Sequence, residues 1–530
     1  AKQINAVGSM AALLKDALKP NLIQTVELDG SSLTVEKVVA VARYHAKIHL
    51  SREAKERIKK SRTVVEEIIS QGKVAYGINT GFGDFSKIRI HGEDIETLQN
   101  NLLLSHCVAV GDPYPEEVVR AMMTLRVNAL CAGFSGIRPE VVQILVDMVN
   151  AGVHPVVPQK GSLGASGDLA PLAHMALPVI GKGEAVYRGQ KMPGAEAMEK
   201  AGIQTCKLHA KEGLALINGT QAMMAVGTLA YYDSLCAARL ADVAVSMTMD
   251  GLTALTNAFD EKAQTVRPHP GQIAVAENIR NLVKGSKILE KSQSLRVQDA
   301  YSLRCVPQVH GAVRDTLEYA RTVLETEMNS VTDNPIVFPE AHEVISGGNF
   351  HGEPIAFIMD FLGIAISELA NISERRIERL VNKALSEGLP AFLIEDGGLN
   401  SGYMICQYSA ASMVSENKVY AHPASVDSIP SSANQEDHVS MGTTAARKLR
   451  MIVENTYSVL AFELMLGAQA IDLRGGEPSP VNKKVQEKIR SQVKKLDKDR
   501  ELREDVTYMN QLVRSGEVLD IVSDCVPDFV

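Results

Sequence analysis

The stretch VLAFELMLGAQAI, from Val459 to Ile471, is apolar on nearly every side of a helix. It is the middle of a longer run, Ser440 to Leu473, which keeps helical spacing and is followed by Gly475-Gly476. A helix of about 30 residues is about 45 Å long, which exceeds the width of a small domain. A helix that is apolar all round belongs inside a bundle. The stretch therefore predicts a mainly α protein built on long, buried helices.

Two other segments show the same long helical character, Val306 to Thr326 and Pro354 to Leu385, and the second is also apolar all round in its middle. A shorter amphipathic helix is predicted between Pro139 and Gly152, because proline favours the first turn and glycine the position after the last. Strand patterns are few and short, and they occur near Ser32 to Val35, Ala185 to Arg188 and Val344-Ile345.

Composition excludes several classes of protein. Hydrophobic residues make up 45% of the 530 residues and charged residues 22%, as in ordinary globular proteins. The net charge of -8 and the absence of a basic, aromatic-rich run argue against a nucleic-acid partner. Seven scattered cysteines without a C-x-x-C pair argue against structural zinc and disulfides. The N-terminal residues contain no signal-peptide core, and the apolar runs are interrupted before the length that a membrane span needs. We therefore expect a cytoplasmic protein without a membrane partner.

The most informative loop is Gly161-Ser162-Leu163-Gly164-Ala165-Ser166-Gly167-Asp168, just before a helix start. A phosphate-binding loop is one interpretation, but the Walker and dinucleotide patterns are both incomplete here. The alternative is chemical. The amide nitrogen of Gly167 attacks the carbonyl of Ala165, water is lost, and Ser166 loses its hydroxyl to leave a methylidene group. The product is 4-methylidene-imidazol-5-one (MIO), and small residues suit the close backbone approach.

The run Ala165-Ser166-Gly167-Asp168-Leu169-Ala170-Pro171 resembles the signature of the MIO-dependent aromatic amino-acid ammonia-lyases and aminomutases. The resemblance covers about residues 30 to 480 and includes five further motifs, which occur in the same order as in that family. They are Tyr76-Gly77-Ile78-Asn79-Thr80-Gly81-Phe82-Gly83, Asn218-Gly219-Thr220-Gln221, Gln298-Asp299-Ala300-Tyr301-Ser302-Leu303-Arg304-Cys305, Ser346-Gly347-Gly348-Asn349-Phe350-His351 and Asn434-Gln435-Glu436-Asp437-His438.

This resemblance implies the organisation of the chain. We expect a mainly α fold with a long central helix bundle and a smaller mixed N-terminal part carrying the MIO loop. The expected domains are an N-terminal domain over residues 1–220, the bundle over residues 221–480 and a C-terminal helical segment over residues 481–530. The resemblance also implies a homotetramer with each active site assembled from several subunits, and the long apolar helices independently favour assembly.

The resemblance further implies the chemistry. The electrophile would be MIO from Ala165, Ser166 and Gly167, with no external cofactor and no metal. Tyr76 would remove the β-proton of an amino-acid substrate as a phenolate. A free phenol has a pKa of about 10, so we expect helix N-termini and cationic groups to lower the pKa of Tyr76.

Five other residues would hold the substrate or the ring, if the resemblance is followed residue by residue. Arg304 would bind the substrate carboxylate with its guanidinium fork, and Tyr301 would share its helical face. Tyr301 and Gln298 would hold the substrate and the ring, and Tyr301 is counted among the catalytic residues. The amide of Asn218 would hold the substrate amine or the MIO oxygen. Phe350 would stack beside the ring.

Two positions bear on the substrate. Glu436 resembles the acidic residue that the histidine-specific members place against the imidazole, and a carboxylate accepts an imidazole N–H. His106 can hydrogen-bond either an imidazole or a phenol, so by itself it does not separate histidine from tyrosine. We therefore expect L-histidine to be converted to trans-urocanate and ammonia. A tyrosine ammonia-lyase, a tyrosine 2,3-aminomutase and a non-catalytic helical scaffold are the alternatives.

Overall fold

The computed structural model describes residues 19–90, 92 and 94–530. Residues 1–18 of the predicted N-terminal domain therefore lie outside the described part of the chain. Within the described ranges the chain forms twenty α-helices and nine short strands, so the prediction of a mainly α fold is confirmed. The predicted domain limits at residues 220 and 480 stay predictions.

The part of the chain before the bundle mixes short helices with most of the strands. Its helices are α1 Val35–Tyr44, α2 Arg52–Ser70, α3 Asp94–His106, α4 Glu116–Cys131, α5 Pro139–Ala151, α6 Leu169–Ala176, α7 Gly194–Lys200 and α8 Glu212–Ile217. Its strands are β1 Thr25–Leu28, β2 Lys47–Leu50, β3 Val110–Pro113, β4 Val153–Pro155, β5 Pro158–Lys160, β6 Glu184–Tyr187 and β7 Gln190–Pro193. Strands β1 and β2 pair in parallel, β3 pairs with β5, and β4, β6 and β7 form an antiparallel sheet.

The helices of the remaining chain form the bundle and its C-terminal cover. They are α9 Gln221–Gly251, α10 Glu261–Thr265, α11 Pro270–Val283, α12 Lys287–Ser292, α13 Tyr301–Arg304, α14 Val306–Met328, α15 Glu353–Val381, α16 Met404–Tyr420, α17 Gly442–Arg474, α18 Pro480–Arg490, α19 Arg503–Ser515 and α20 Glu517–Cys525. A hairpin of β8 Ile336–Phe338 and β9 Glu343–Ile345 separates α14 from α15.

Helix α17 is the centre of the bundle, and it packs most extensively on α9 and α15. Small residues bring α9 and α17 close together, because a side chain on Gly251 would collide with Ala470. The apolar segment Val459 to Ile471 is buried along almost its whole length. The sequence prediction of a long interior helix is therefore confirmed, with observed limits at Gly442 and Arg474.

A buried polar cluster joins these three helices. Glu463 of α17 is fully buried and accepts hydrogen bonds from Thr248 of α9 at 2.9 Å and from Ser373 of α15 at 2.6 Å. It also forms an ion pair with Arg376 of α15, whose Nη2 lies 3.0 Å from a carboxylate oxygen. Donors from α9 and α15 meet at this one carboxylate of α17, so the cluster specifies how the three helices align.

Helix α15 is long and apolar enough to cross a membrane by length and composition, alone among the helices in the described ranges. The expectation that every apolar run is too short is therefore wrong for this helix. It packs against α9, α14, α16 and α17, and 56% of its most apolar window is buried within the single chain. These contacts are those of a core helix.

The strand predicted at Ser32 to Val35 is wrong. The amides of Ser31 and Ser32 donate to the carboxylate of Asp29 at 2.8 and 2.9 Å, which forms a turn. Thr34 then caps α1, since its hydroxyl oxygen accepts from the amide of Lys37 at 3.3 Å. These side-chain contacts override the β propensity of the threonine and valine. The strands predicted near Ala185 and Val344 correspond to β6 and β9.

Candidate active site

A cavity of about 1060 Å³ lies where the N-terminal part of the chain meets the loop before α17. It is lined by five residues selected from the sequence, which are Tyr76, His106, Ser166, Asn218 and Glu436. The rest of the lining is largely apolar and comes mainly from the loop after Tyr76 and from α3. An apolar cavity with a few convergent polar groups is typical of a small-molecule site.

The loop before α6 is held in a compact turn that only small residues allow. Gly164 and Gly167 adopt left-handed backbone angles, with φ of 77° and 75°. A side chain at Gly167 would collide with the carbonyl oxygen of Gly219, which also accepts the amide of Asp168 at 2.7 Å. The backbone around Ser166 is therefore pressed against the chain that follows Asn218, and this contact explains why glycine is required at Gly167.

Asp168, for which the sequence motifs predicted no role, anchors the loop. Its carboxylate is fully buried and accepts from the hydroxyl of Ser162 at 2.6 Å, from the hydroxyl of Thr443 and from the amide of Met223 at 2.8 Å. Burial raises the pKa of Asp168, and these hydrogen bonds oppose the rise. An acidic residue immediately before a helix start was the only sequence signal for this anchor.

Three helices start around this anchor. Helix α6 begins directly after Asp168, the amide of Met223 belongs to the first turn of α9, and Thr443 is in the first turn of α17. Helix N-termini carry partial positive charge. Their convergence at the Asp168 carboxylate stabilises this buried anchor.

Glu436 brings a distant loop to Ser166. One carboxylate oxygen accepts from the Ser166 hydroxyl at 3.0 Å, and the other accepts from the Ser431 hydroxyl at 3.1 Å. The backbones of Ser431 and Glu436 also pair in a short antiparallel bridge. The carboxylate is therefore oriented by its own loop and directed at the residue predicted to become the electrophile.

Tyr76 lines the cavity half-buried, and its hydroxyl oxygen accepts from the amide of Gly83 at 3.4 Å. Burial raises the pKa of Tyr76; the contact with Gly83 lowers it, and the negative charge of Glu436 raises it further. The expectation that surrounding groups lower this pKa is therefore wrong for the single chain.

His106 ends α3 and is also half-buried in the cavity wall. Burial lowers the pKa of His106, although the Leu102 backbone and the charge of Glu436 act in the opposite direction. Its Nδ1 lies 2.9 Å from the hydroxyl of Ser105. A neutral imidazole keeps one donor and one acceptor, so His106 can hydrogen-bond a polar ring in the cavity.

Asn218 directly follows α8 and carries an acceptor that no described residue uses. Its backbone carbonyl accepts from the buried guanidinium of Arg126 at 2.7 Å, which holds the residue in position. Its side-chain oxygen is buried and has no hydrogen-bond partner among the described residues. A buried amide oxygen without a partner costs about 1–3 kcal/mol, so this atom is well suited to accept from a bound amine.

Six of the eleven predicted site residues are not in the cavity wall. Ala165 and Gly167 flank Ser166 in its loop, and the other four belong to segments elsewhere in the chain. Tyr301 is 70% exposed, Gln298 is exposed and Phe350 is half-buried in its loop. Arg304 places its guanidinium 4.5 Å from the centre of the Tyr301 ring and donates to the carbonyl of Asp299 at 2.8 Å. The helical relation between Tyr301 and Arg304 is confirmed, but one chain does not bring them to Ser166.

The family model for aromatic amino acid lyases matches residues 33–492, a range that contains every residue predicted for the site. The histidine ammonia-lyase of Caldanaerobacter subterraneus subsp. tengcongensis is 56% identical over 503 residues, which cover 95% of this chain and 99% of that protein.

Two solved structures extend the comparison. The histidine ammonia-lyase from Trypanosoma cruzi is 44% identical, with a TM-score of 0.89 and coverage of 95% of this chain and 97% of that chain. The tyrosine aminomutase from Streptomyces globisporus is 38% identical, with a TM-score of 0.89 and coverage of 94% and 98%. The same fold therefore occurs in proteins named for different substrates and different reactions.

Proposed function

Because the chain belongs to the aromatic amino acid lyase family, we propose that it cleaves the carbon–nitrogen bond of L-histidine and releases trans-urocanate and ammonia. The observation that carries the proposal is the position of Glu436, whose carboxylate lines the cavity 3.0 Å from the Ser166 hydroxyl. A carboxylate at this distance from the reacting centre can accept the N–H of a substrate imidazole. The histidine ammonia-lyase relatives support the same substrate.

The proposal includes the MIO group formed from Ala165, Ser166 and Gly167. One observation fits that group: Gly167 has no room for a side chain and has a left-handed backbone, so the loop forms the compact turn that ring closure requires. When formed, MIO supplies an electrophilic carbon toward the substrate amine. The chain's own residues supply the remaining functions.

We assign the proton transfer to Tyr76 and the recognition of the imidazole to Glu436 and His106. The phenol oxygen of Tyr76 faces the amide of Gly83, which favours the ionised form, but burial has the larger opposite effect on the pKa. A positive charge close by would favour the ionised phenolate and lower its pKa. We infer that the charge comes from the assembled enzyme rather than from the single chain.

The assembled enzyme in this proposal is a homotetramer. Support comes from the four residues missing from the cavity wall, because a second copy is the simplest source of Gln298, Tyr301, Arg304 and Phe350. Exposed apolar side chains offer surfaces for such contacts, and Val297, next to Gln298, is 91% exposed. Large apolar side chains left in water favour association.

A tyrosine ammonia-lyase or tyrosine 2,3-aminomutase is the second candidate. The neutral His106 in the cavity wall can hydrogen-bond a phenol as well as an imidazole, and the tyrosine aminomutase from Streptomyces globisporus has the same fold. Histidine is favoured over this candidate, because Glu436 resembles the acidic residue of the histidine-specific members and the histidine ammonia-lyase relative is 56% identical, against 38% for the aminomutase.

A direct assay tests the proposal. Purified protein is incubated with L-histidine, L-tyrosine and L-phenylalanine in parallel, and the products are identified by chromatography and ultraviolet absorbance. We expect urocanate and ammonia from histidine at a rate far above that of the other two reactions. Coumarate or a β-amino acid as the main product would overturn the substrate assignment, and no product from any substrate would indicate a non-catalytic scaffold.

A cytoplasmic location is the last part of the proposal. It is supported by the seven cysteines, all of which are free thiols. Free thiols are typical of proteins from reducing compartments.

A further inference from the structure

A second cluster of titratable side chains lies close to the cavity but has no role in the proposed reaction. His351, Glu353 and His438 bring one nitrogen of each imidazole and one carboxylate oxygen within 4.8 Å of one another. His351 and Glu353 are half-buried, and His438 is exposed. The two histidines are separated by 87 residues, so no ligand spacing in the sequence indicated the cluster.

The two imidazoles are arranged as a pair. Their rings are stacked with centroids 5.5 Å apart, and Nδ1 of His438 lies 3.4 Å from Nε2 of His351. Ligand atoms of a tetrahedral zinc ion, each at about 2.0–2.1 Å from the metal, are about 3.3–3.4 Å apart. The nitrogen–nitrogen separation therefore already matches that of two ligands on one ion.

Glu353 provides an unused carboxylate oxygen next to the pair. Its Oε2 is buried without a hydrogen-bond partner among the described residues and lies 3.9 Å from Nδ1 of His351. The other nearby carboxylate, Asp360, is paired with Lys448 at 3.2 Å. Glu353 is therefore the acidic group left to the two histidines.

The neighbours of His351 favour the tautomer with the proton on Nε2, because an amide donates to Nδ1 and a carbonyl oxygen accepts from Nε2. Its Nδ1 lies 3.3 Å from the amide of Glu353, and its Nε2 lies 3.3 Å from the carbonyl oxygen of His438. Both separations are at the long end for N–H···O or N–H···N hydrogen bonds. An ion bound at Nε2 would move the proton to Nδ1 and replace these two contacts, and the energetic cost is small because both are long.

We propose that His351, Glu353 and His438 bind a divalent transition-metal ion of the Zn²⁺ class. Two imidazoles and one carboxylate suit zinc, cobalt or nickel, whereas Mg²⁺ and Ca²⁺ prefer oxygen ligands throughout. Three protein ligands leave a coordination position for water.

The ion would connect two loops that carry substrate-binding residues. His351 directly follows Phe350, and His438 is two residues after Glu436. A metal ion held between these loops would restrict their relative movement. The inference does not depend on the proposed reaction, because binding is measured without turnover.

The test uses the full-length protein after treatment with a chelator, titrated with Co²⁺ in place of Zn²⁺. We expect one Co²⁺ per chain by metal analysis, visible absorption bands of low-symmetry nitrogen and oxygen coordination, and a higher thermal unfolding midpoint with the ion. His438→Ala and Glu353→Gln should each weaken Co²⁺ binding by at least about 10-fold. Glu353→Gln keeps the shape of the side chain, so it separates ligand loss from misfolding.

A matched control is available in the chain. His45 and His154 also share one carboxylate, that of Glu116, at 3.8 and 3.2 Å. His45→Ala should leave the Co²⁺ stoichiometry and affinity unchanged. The proposal is overturned if the wild-type protein binds no stoichiometric Co²⁺, if His438→Ala binds it as tightly as the wild type, or if His45→Ala removes it.

Discussion

The hydroxyl of Ser166 and the carboxylate of Glu436 are 3.0 Å apart although the residues are 270 positions apart in the chain. This contact joins the group predicted to become electrophilic to the group predicted to select the substrate. Tyr76 and His106 complete the same wall, and their pKa values shift in opposite directions because burial disfavours the charged form of each. The uncharged forms of both side chains therefore dominate in the single chain near neutral pH.

Ser166→Ala removes the atom that must leave for the methylidene group to form. We expect turnover of histidine to be abolished while circular dichroism stays that of the wild type, because the hydroxyl makes a single hydrogen bond to a half-buried carboxylate. Intact-mass spectrometry should show the wild type lighter than its unmodified chain by two water molecules, and the variant without that loss. Ser70→Ala, at an exposed helix end, is the control and should keep the loss. A wild-type mass equal to the unmodified chain would rule out the MIO group.

Tyr76→Phe tests the base. Removing a general base costs about 10²–10⁴-fold in kcat, and we expect a loss in this range with a small change in KM, since phenylalanine keeps the ring in the cavity wall. Steady-state kinetics on histidine measure it. Tyr319→Phe, at an exposed position of α14, should keep the wild-type rate. Wild-type turnover by Tyr76→Phe would remove Tyr76 as the base.

Glu436→Gln tests substrate selection. A hydrogen bond to a charged group contributes about 1.5–3 kcal/mol, so we expect kcat/KM for histidine to fall by about 10- to 100-fold and for any tyrosine turnover to fall less. Asp437→Asn is the matched control, because Asp437 is exposed and does not line the cavity. Equal losses for both substrates would show that Glu436 does not select the imidazole.

Helices α9, α15 and α17 meet at the carboxylate of Glu463, which three side chains from the other two helices contact. The apolar faces of these helices are similar, so apolar packing alone leaves their alignment loosely specified. A buried charge with several partners is satisfied in one alignment only. We infer that this cluster contributes to the uniqueness of the bundle more than to its net stability.

Glu463→Ala leaves the fully buried guanidinium of Arg376 without its carboxylate. Breaking a buried pair by removing one partner costs about 3–5 kcal/mol, so the free energy of unfolding in urea should fall by this amount. Glu454→Ala on the same helix is the control; its ion pair with Arg514 is half-exposed, and we expect a loss of at most about 1 kcal/mol. Equal losses for the two variants would argue against the proposed role of the cluster.

The cavity of one chain holds the predicted electrophile, base and imidazole-binding residues but is not lined by Gln298, Tyr301, Arg304 or Phe350. If these four come from other copies, a complete site exists only in the assembly. The exposed position of Tyr301 then reflects a surface that becomes buried when copies associate. Size-exclusion chromatography with light scattering should give a tetramer.

Mixing two inactive variants tests whether sites are shared. Ser166→Ala and Arg304→Ala are each expected to be inactive alone. If each site takes Ser166 from one chain and Arg304 from another, roughly a quarter of the sites in randomly mixed tetramers would have both residues intact. Co-expression should therefore restore about a quarter of the wild-type turnover. No recovery in co-expressed protein that is shown to be mixed would place both residues of each site on one chain.

The amino-acid sequence by itself determined the mainly α class, the family and the loop chemistry, because helical periodicity and short motifs are local in the chain. The apolar segment Val459 to Ile471 predicted a buried helix correctly, and the Ala165-Ser166-Gly167 loop identified the family that the family model then matched. Where local side-chain contacts compete with propensity, as at Thr34, the same reasoning predicted a strand and was wrong.

Only the tertiary structure decided which distant groups meet. Long helices bring their ends together, and three contacts between distant residues depend on this. Asp168 is joined to the starts of α9 and α17, Glu436 contacts Ser166, and His351 pairs with His438. The tertiary structure also determines which side chains are buried. Burial raises the pKa of Tyr76, whereas the sequence motifs predicted a lowered pKa. Desolvation and contact depend on the surrounding volume, which a linear pattern of residues does not specify.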